Sequence, residues 1–394
     1  LDSSELDELI SKMGVKCPSC DSQDWLGASS MNLMFQTSIG AMGGSRTAFM
    51  RPETAQGMFM LYPALYRHFR QRLPFGAMQT GKGYRNEISP RQGMIRLREF
   101  NMAELEYFID PEEPPAVDLS RWERRIHMLP DPDGPHPSEV EVTIEEAFES
   151  GIVKHPTVAW FLAMTMHFLE DVGVEPSKVR FRQHASSEMA HYASDCWDCE
   201  LSGEHGWIEV VGIANRTCHD LESHEKNSKS GLLKGWRSFE TPVKESREVL
   251  KPDGAVIGPA FRERASDVSK ALSELKDLPE RLPFTLSLAD GTTVEIEEGM
   301  VTRVLQESVV SGEYFTPHVI EPAFGIDRII WHILDHNYLE LEKEGEEYTI
   351  LTLDPSLAPY DVVVLPLFAK NGMDIMARGG LERITSISGI IAEI

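Results

Sequence analysis

Residues 81–108 read GKGYRNEISPRQGMIRLREFNMAELEYF. A run of apolar and polar residues ends at Arg85, Asn86 and Glu87. Ser89, Pro90 and Gly93 mark a turn-rich connection, and MIRLREFNMAELEYF follows as a second run in which charged and apolar residues alternate. Alternation split by turn formers predicts two antiparallel strands joined by a long loop. Arg85, Arg91, Arg96 and Arg98 crowd into this stretch of a chain whose formal net charge is -25, so it is expected to meet something anionic and local. Strand alternation predicts Arg96, Arg98 and Phe100 on one face. Guanidinium forks hold phosphates and a ring stacks on a base, so the pattern suits a nucleotide. Taken alone, the stretch reads more plainly as a solvated hairpin with incidental charges.

The 394 residues suffice for a large core and two or three domains. No run of 18 apolar residues is present, so no membrane span is expected. With 63 acidic against 38 basic residues, non-specific nucleic-acid binding by the whole surface is disfavoured, though a local basic path for RNA is compatible. Five cysteines in a chain this long do not make a disulfide framework. Cys17 and Cys20 form CPSC in a turn-like segment, which suits half of a zinc knuckle; Cys196 and Cys199 form CWDC. The two pairs are read as unrelated.

Residues 1–14 predict a helix capped by Ser3 or Ser4. Another helix is expected from about Thr54, with Met58, Met60 and Met102 filling core. The proline-rich, acidic stretch 109–118 ends regular structure. Helices are expected near 143–151 and 156–173, and buried strands at 178–184 and 206–214. A composition shift opens at 225, with a helix over 264–276 and a hairpin about the Ala-Asp-Gly turn at 289–291. Residues 319–340 read as a strand turning into an apolar helix. VVVLPL near 362–367 reads as a buried parallel strand.

Residues 84–104 resemble motif 2 of the class II aminoacyl-tRNA synthetases, in the form carried by glycyl-tRNA synthetases. RPETAQG (51–57), EMAHYASDCWD (188–198), GWIEVVG (206–212) and VIEPAFGIDRI (319–329) resemble the same family, in family order. The resemblance implies an α+β catalytic domain with a mainly antiparallel sheet flanked by helices. It divides the chain into a core at 1–224 with an insertion near 111–177, an insertion subdomain at 225–314, the core again at 315–355, and the truncated start of an α/β anticodon-binding domain at 356–394. Residue 1 is Leu and motif 1 is not found, so the chain is expected to be a fragment of a cytoplasmic homodimer.

The implied activity is ATP-dependent activation of glycine and its transfer to tRNA(Gly), with Mg2+ bridging the phosphates. Two anions, a carboxylate and a triphosphate, must then meet, so positive charge has to lie between them. The family's motifs give Arg85 and Arg328 to the phosphates, Glu87 to the adenine or the terminal adenosine, Phe100 to adenine stacking and Arg96 to a further phosphate contact. Asn86, Leu97 and Val210 complete the ATP site, and Glu209 is the Mg2+ candidate. Glu53, Glu104 and Glu321 are the expected ammonium cage for glycine, with Arg182 on its carboxylate. Ala323 stands where the family pattern has serine, and Val210 where cysteine is common. Cys17 and Cys20 would be half of a Zn2+ site. His184 and His191 are read as structural or RNA-adjacent, because an ionised carboxylate needs no base. A class II synthetase for another small amino acid, and a catalytically impaired synthetase-like nucleic-acid-binding module, are the rival readings.

Overall fold

The computed structural model describes residues 2–40, 46–90, 93–189, 193–273, 275, 278–279, 281–368, 370, 372–387 and 391–393; Arg91 and His191 lie outside them. The predicted hairpin is present. Phe75–Tyr84 (β1) pairs antiparallel with Glu99–Ile109 (β2), from Phe75 opposite Phe108 to Tyr84 opposite Glu99. Six more strands extend it: Arg125–Leu129 (β3), Val140–Thr143 (β4), Val179–Gln183 (β5), Asp195–Gly203 (β6), Gly206–Thr217 (β7) and His318–Gly325 (β8). The eight strands lie in the order β1-β2-β8-β7-β6-β5-β3-β4. All neighbours are antiparallel except β3 and β5. Residues 125–143, inside the stretch near 111–177 expected as an insertion, thus pair into the same sheet. Their alternating Ile126 and Met128 are buried in the main core, and β3 and β4 form one edge of the eight-stranded sheet.

The period-two pattern of the strands sorts the two faces. On one face Leu105, Tyr107 and Ile109 of β2, Trp197, Cys199 and Leu201 of β6, and Val211 and Ile213 of β7 meet the helix Pro156–Asp171. That helix is apolar nearly all round, as burial requires, and starts at a proline in its first turn, where the missing N–H costs nothing. Phe161 sits edge-on to Tyr107, ring centroids 5.5 Å apart. On the other face Phe108 packs into a second core with Phe59, Tyr62 and Tyr66 of the helix Ala55–His68 (α1). Met58 and Met102 are buried as expected, but Met60 is 68% exposed, because it lies on the outer face of α1. Beyond the Phe108 cluster this second face carries Glu106, Glu104 and the floor of a cleft.

Asp2 rather than Ser3 or Ser4 caps the N-terminal helix Ser3–Met13 through a reciprocal capping box with Glu5. The strand expected at VVVLPL shrinks to Val362–Val363, and Leu365 and Leu367 are exposed. A surface hairpin, Tyr338–Lys343 with Glu346–Leu351, was not legible because its alternation is dominated by glutamates.

Residues Lys234–Phe315 form a second compact unit. The helix His219–Ser228 runs through the boundary expected at 225 and belongs to the first unit. Within the second unit, Gly235–Pro252 pairs antiparallel with Val301–Phe315. The predicted hairpin forms from Phe284–Ser287 and Thr293–Ile296. Leu250, Ile257, Val268, Leu272, Leu286 and Ile296 give the unit its own core.

Candidate active site

Strand register assembles the site. Ala323 of β8 lies opposite Glu104 of β2, and the same register carries Glu321 opposite Glu106. On the other side of β8, β7 sets Ala214 beside Glu321 and Gly212 beside Ala323. Next come Cys196 and Asp198 of β6, beside Ala214 and Gly212. All of these except the fully buried Glu106 line a cleft of about 340 Å3 whose floor is made small by Gly212, Ala214 and Ala323.

One end of the cleft is acidic. Glu53, Glu104 and Glu321 line it. Glu104 is buried and already engaged: a single carboxylate oxygen accepts from the Thr54 amide (2.6 Å), the Thr54 hydroxyl and the Ala55 amide (2.9 Å). It thus holds the N-terminus of α1, where orphan amides favour an anion. Burial raises its pKa. Burial also raises Glu321, up to about 7, against the opposing pull of Arg216. Glu106 is fully buried, neither oxygen makes a well-formed hydrogen bond, and burial next to Glu321 holds it well above the usual carboxylate range. Burial in that setting favours the protonated form of the carboxyl.

The sequence reading missed the cation that organises this end. Arg216 donates to Glu321 (2.6 Å) and to both oxygens of Asp220 (2.8 and 3.1 Å), and lies 3.8 Å from Glu53. Burial alone would lower its pKa, but Asp220 and Glu321 keep it charged. A signal was available: Arg216 follows Ala214 on the same strand face, with an acidic residue four positions on.

The other end is cationic. Arg85, Arg96 and Arg328 line it with Glu87, Leu97, Phe100, Glu209 and Val210. The Arg85 guanidinium lies 5.5 Å from the centroid of the Phe100 ring. Arg328 is fixed by three bonds: to the Ile95 carbonyl (3.0 Å), the Glu209 carbonyl (2.7 Å) and the Glu209 carboxylate (3.3 Å). Asp327 beside it accepts from the Asn101 amide (2.6 Å) and side chain (2.9 Å), tying the helix Ile326–Asn337 to β2. Glu209 is not enclosed in an apolar strand; its side chain is 50% exposed at the rim of the cleft, beside a bulge between β6 and β7. Gly83 permits the Phe100 position, since a Cβ there would fall 2.7 Å from the ring.

Three expected residues sit elsewhere. Arg98 precedes β2, so strand alternation does not reach it, and it donates to the Glu87 carbonyl (2.9 Å) instead of joining Arg96 and Phe100. Asn86 donates from its amide to the Leu33 carbonyl (2.7 Å) and from its side chain to the Asn32 carbonyl (3.2 Å), fastening the loop to a neighbouring segment. Arg182 does not line the cleft; its guanidinium is spent on Glu188 (2.9 Å), Asp198 (2.7 Å) and Glu200 (3.3 Å). Arg180 of the same strand pairs with Glu200 at 2.6 Å. His184, beyond the end of β5, meets Asp198 at 2.9 Å, and its hydrogen bonds to Asp198 first and to Cys196 second push its pKa up to about 10. Cys17 and Cys20 lie in a tight turn far along the chain from the cleft residues, and the Ser19 and Cys20 amides facing Cys17 lower its thiol pKa. The CWDC pair cannot converge: Cys196 faces the cleft, and Cys199, on the opposite strand face, is buried in the core.

The chain is 43% identical over 380 residues to the glycine–tRNA ligase of Methanothrix thermoacetophila, covering 96% of this chain and 65% of that protein. It is 42% identical to that of Methanocaldococcus jannaschii over 415 residues, covering 99% of this chain and 69% of the relative. With that of Methanothermobacter thermautotrophicus the identity is 43% over 406 residues, 100% of this chain and 69% of the relative. The chain thus spans about two thirds of the length of these curated relatives. Among solved structures, the prolyl-tRNA synthetase of Giardia lamblia in complex with prolyl-adenylate aligns with a TM-score of 0.46 and 12% identity, over 92% of this chain and 48% of that one. No protein-family model matches the chain. The curated relatives put the chain among the aminoacyl-tRNA ligases. Within that class it belongs to the glycine–tRNA ligase family.

Proposed function

We propose that the chain carries the catalytic core of a glycine–tRNA ligase, which activates glycine with ATP and transfers it to the 3′ end of tRNA(Gly). The observation that carries this reading is the separation of charge within one cleft: carboxylates Glu53, Glu104 and Glu321 at one end, arginines Arg85, Arg96 and Arg328 at the other. Glu321 and Gly325 are four residues apart on β8, about 13 Å of strand, a span suited to an amino acid joined to a nucleotide phosphate.

In this reading the glycine ammonium sits among the three carboxylates, and its Cα lies flat on Gly212, Ala214 and Ala323. A side chain would have to enter the space the carboxylates occupy, which disfavours a larger amino acid. Arg85 neutralises the α-phosphate as the glycine carboxylate attacks it, and Phe100 stacks on the adenine. Arg328, braced before substrate arrives, meets the far phosphates without reorganising. Glu209 at the rim, with Glu87 nearby in the same cleft, offers the oxygen ligands that suit Mg2+ shared with phosphates; that ion would neutralise the phosphate charge. Because Arg182 is already paired three times, it serves this pocket by fixing Asp198 and Glu188. Action in the cytoplasm as a homodimer, and an anticodon-binding role for the region from 356, follow the same reading. No helix of the described residues is long and apolar enough to cross a membrane.

The test is charging of a tRNA(Gly) transcript with labelled glycine. Arg85→Ala should reduce charging by at least about a hundredfold, in line with loss of a group acting on developing charge. Undiminished charging by Arg85→Ala would remove the phosphate assignment.

A further inference from the structure

We propose that His184, Cys196 and Asp198 form a Zn2+ site on the wall of the cleft. One donor atom from each, an imidazole nitrogen, a thiol sulfur and a carboxylate oxygen, all lie within 4.8 Å of one another. Among the described residues this is the one group of three or more His, Cys, Asp or Glu side chains so placed. Sheet geometry brings them together. Cys196 and Asp198 are two apart on β6 and share a face, and the His184 amide donates to the Cys196 carbonyl at 3.0 Å, holding the histidine alongside.

The donor set selects the metal. Thiolate and imidazole suit zinc, and magnesium takes oxygen ligands. Tetrahedral bonds of 2.0–2.3 Å put donors about 3.3–3.8 Å apart, so side-chain adjustments suffice. The His184 nitrogen and an Asp198 oxygen already lie 2.9 Å apart. The other Asp198 oxygen accepts from Arg182 at 2.7 Å, the kind of outer support that orients a ligating carboxylate. Binding of the ion displaces the protons that His184 and the Cys196 thiol carry in its absence, and the resulting thiolate and the carboxylate balance its charge. Three protein ligands leave a fourth position, and since all three side chains line the cleft, water from the cleft fills it. Cys199 takes no part, being on the core side of the same strand. The site is independent of the glycine reading, because its test measures metal and not aminoacyl transfer.

The experiment uses the full chain carrying Cys17→Ser and Cys20→Ser, so that the N-terminal pair contributes nothing. The protein is loaded with Zn2+, freed of unbound ion by gel filtration and assayed for zinc by mass spectrometry; a parallel sample is loaded with Co2+ and its thiolate-to-cobalt absorption recorded. The expected result is one tightly held zinc per chain and a thiolate–cobalt band. Both should fall to background when Cys196→Ser is added, and the zinc should also be lost with His184→Ala, whose side chain is partly exposed and whose replacement leaves the core untouched. Either variant suffices if the other does not fold, as judged by circular dichroism. No retained zinc in the Cys17→Ser/Cys20→Ser chain, or zinc retained undiminished after either added substitution, overturns the proposal.

Discussion

Arg216 donates to Glu321 across 2.6 Å, with both side chains buried between β7 and β8. The guanidinium also binds Asp220, so one cation compensates two buried carboxylates. Removing one partner of such a buried set leaves uncompensated charge, at a cost of about 3–5 kcal/mol. Arg216→Ala should therefore lower the urea midpoint by a corresponding amount and raise the KM for glycine. An unchanged midpoint would show that Asp220 and Glu321 find other partners.

The acidic end predicts a pH dependence. Glu321 must be ionised to hold an ammonium group, and burial pushes it up to about 7. Above that pH the carboxylate prevails; below it the proton competes. The KM for glycine should be flat above about pH 7 and rise as the pH falls, approaching tenfold per unit. Glu106, held well above the usual carboxylate range by burial and by Glu321 beside it, should tolerate Glu106→Gln with the midpoint unmoved. A downward shift of the midpoint in Glu106→Gln would mean that Glu106 carries charge beside Glu321.

Gly83 tests the adenine contact. An added Cβ falls 2.7 Å from the Phe100 ring and 2.8 Å from the Met102 sulfur, so Gly83→Ala must displace the ring. Stacking of a base on an aromatic side chain is worth about 1–3 kcal/mol, so the KM for ATP should rise roughly tenfold or more, with the KM for glycine little changed. Phe100→Leu should reproduce the effect. Equal rises in both constants would indicate general disruption of the hairpin.

Ala323 lies on the pocket floor opposite Glu104, where a hydroxyl would face the substrate. One added hydrogen bond is worth about 0.5–1.5 kcal/mol. Ala323→Ser should lower the KM for glycine by up to roughly tenfold, measured by steady-state kinetics, and leave the KM for ATP alone. A higher KM would show that the floor has no room for the hydroxyl.

The strands that carry the site were legible because their chemistry is local. The 81–108 hairpin announces itself through alternation and turn residues, and the motif-like segments at 84–104, 188–198, 206–212 and 319–329 reach into β2, β6, β7 and β8, the strands that line the cleft. What the sequence concealed is set by side-chain partnership. Nothing near Arg182 shows that Glu188, Asp198 and Glu200 will all claim it, since two of the three lie on a different strand. Glu104 looked like a substrate ligand alone, and its second task, holding the start of α1, exists only once residues fifty positions apart meet. Residues 125–143 fall in the stretch near 111–177 that the proline-rich break at 109–118 sets off, and the sheet edge they complete is defined by pairing with β5, which that local pattern does not show. Glu106 was passed over for the same reason: its burial depends on β8, two hundred residues away.

The most direct test of the central claim is glycine-dependent ATP–pyrophosphate exchange by the unmodified chain, with alanine and serine as competing substrates and Arg85→Ala as the blank. Exchange with glycine, at least about a hundredfold weaker with alanine or serine and lost in Arg85→Ala, is the predicted result. A folded chain that binds ATP but exchanges alanine or serine as readily as glycine, or exchanges with none of them, would contradict it.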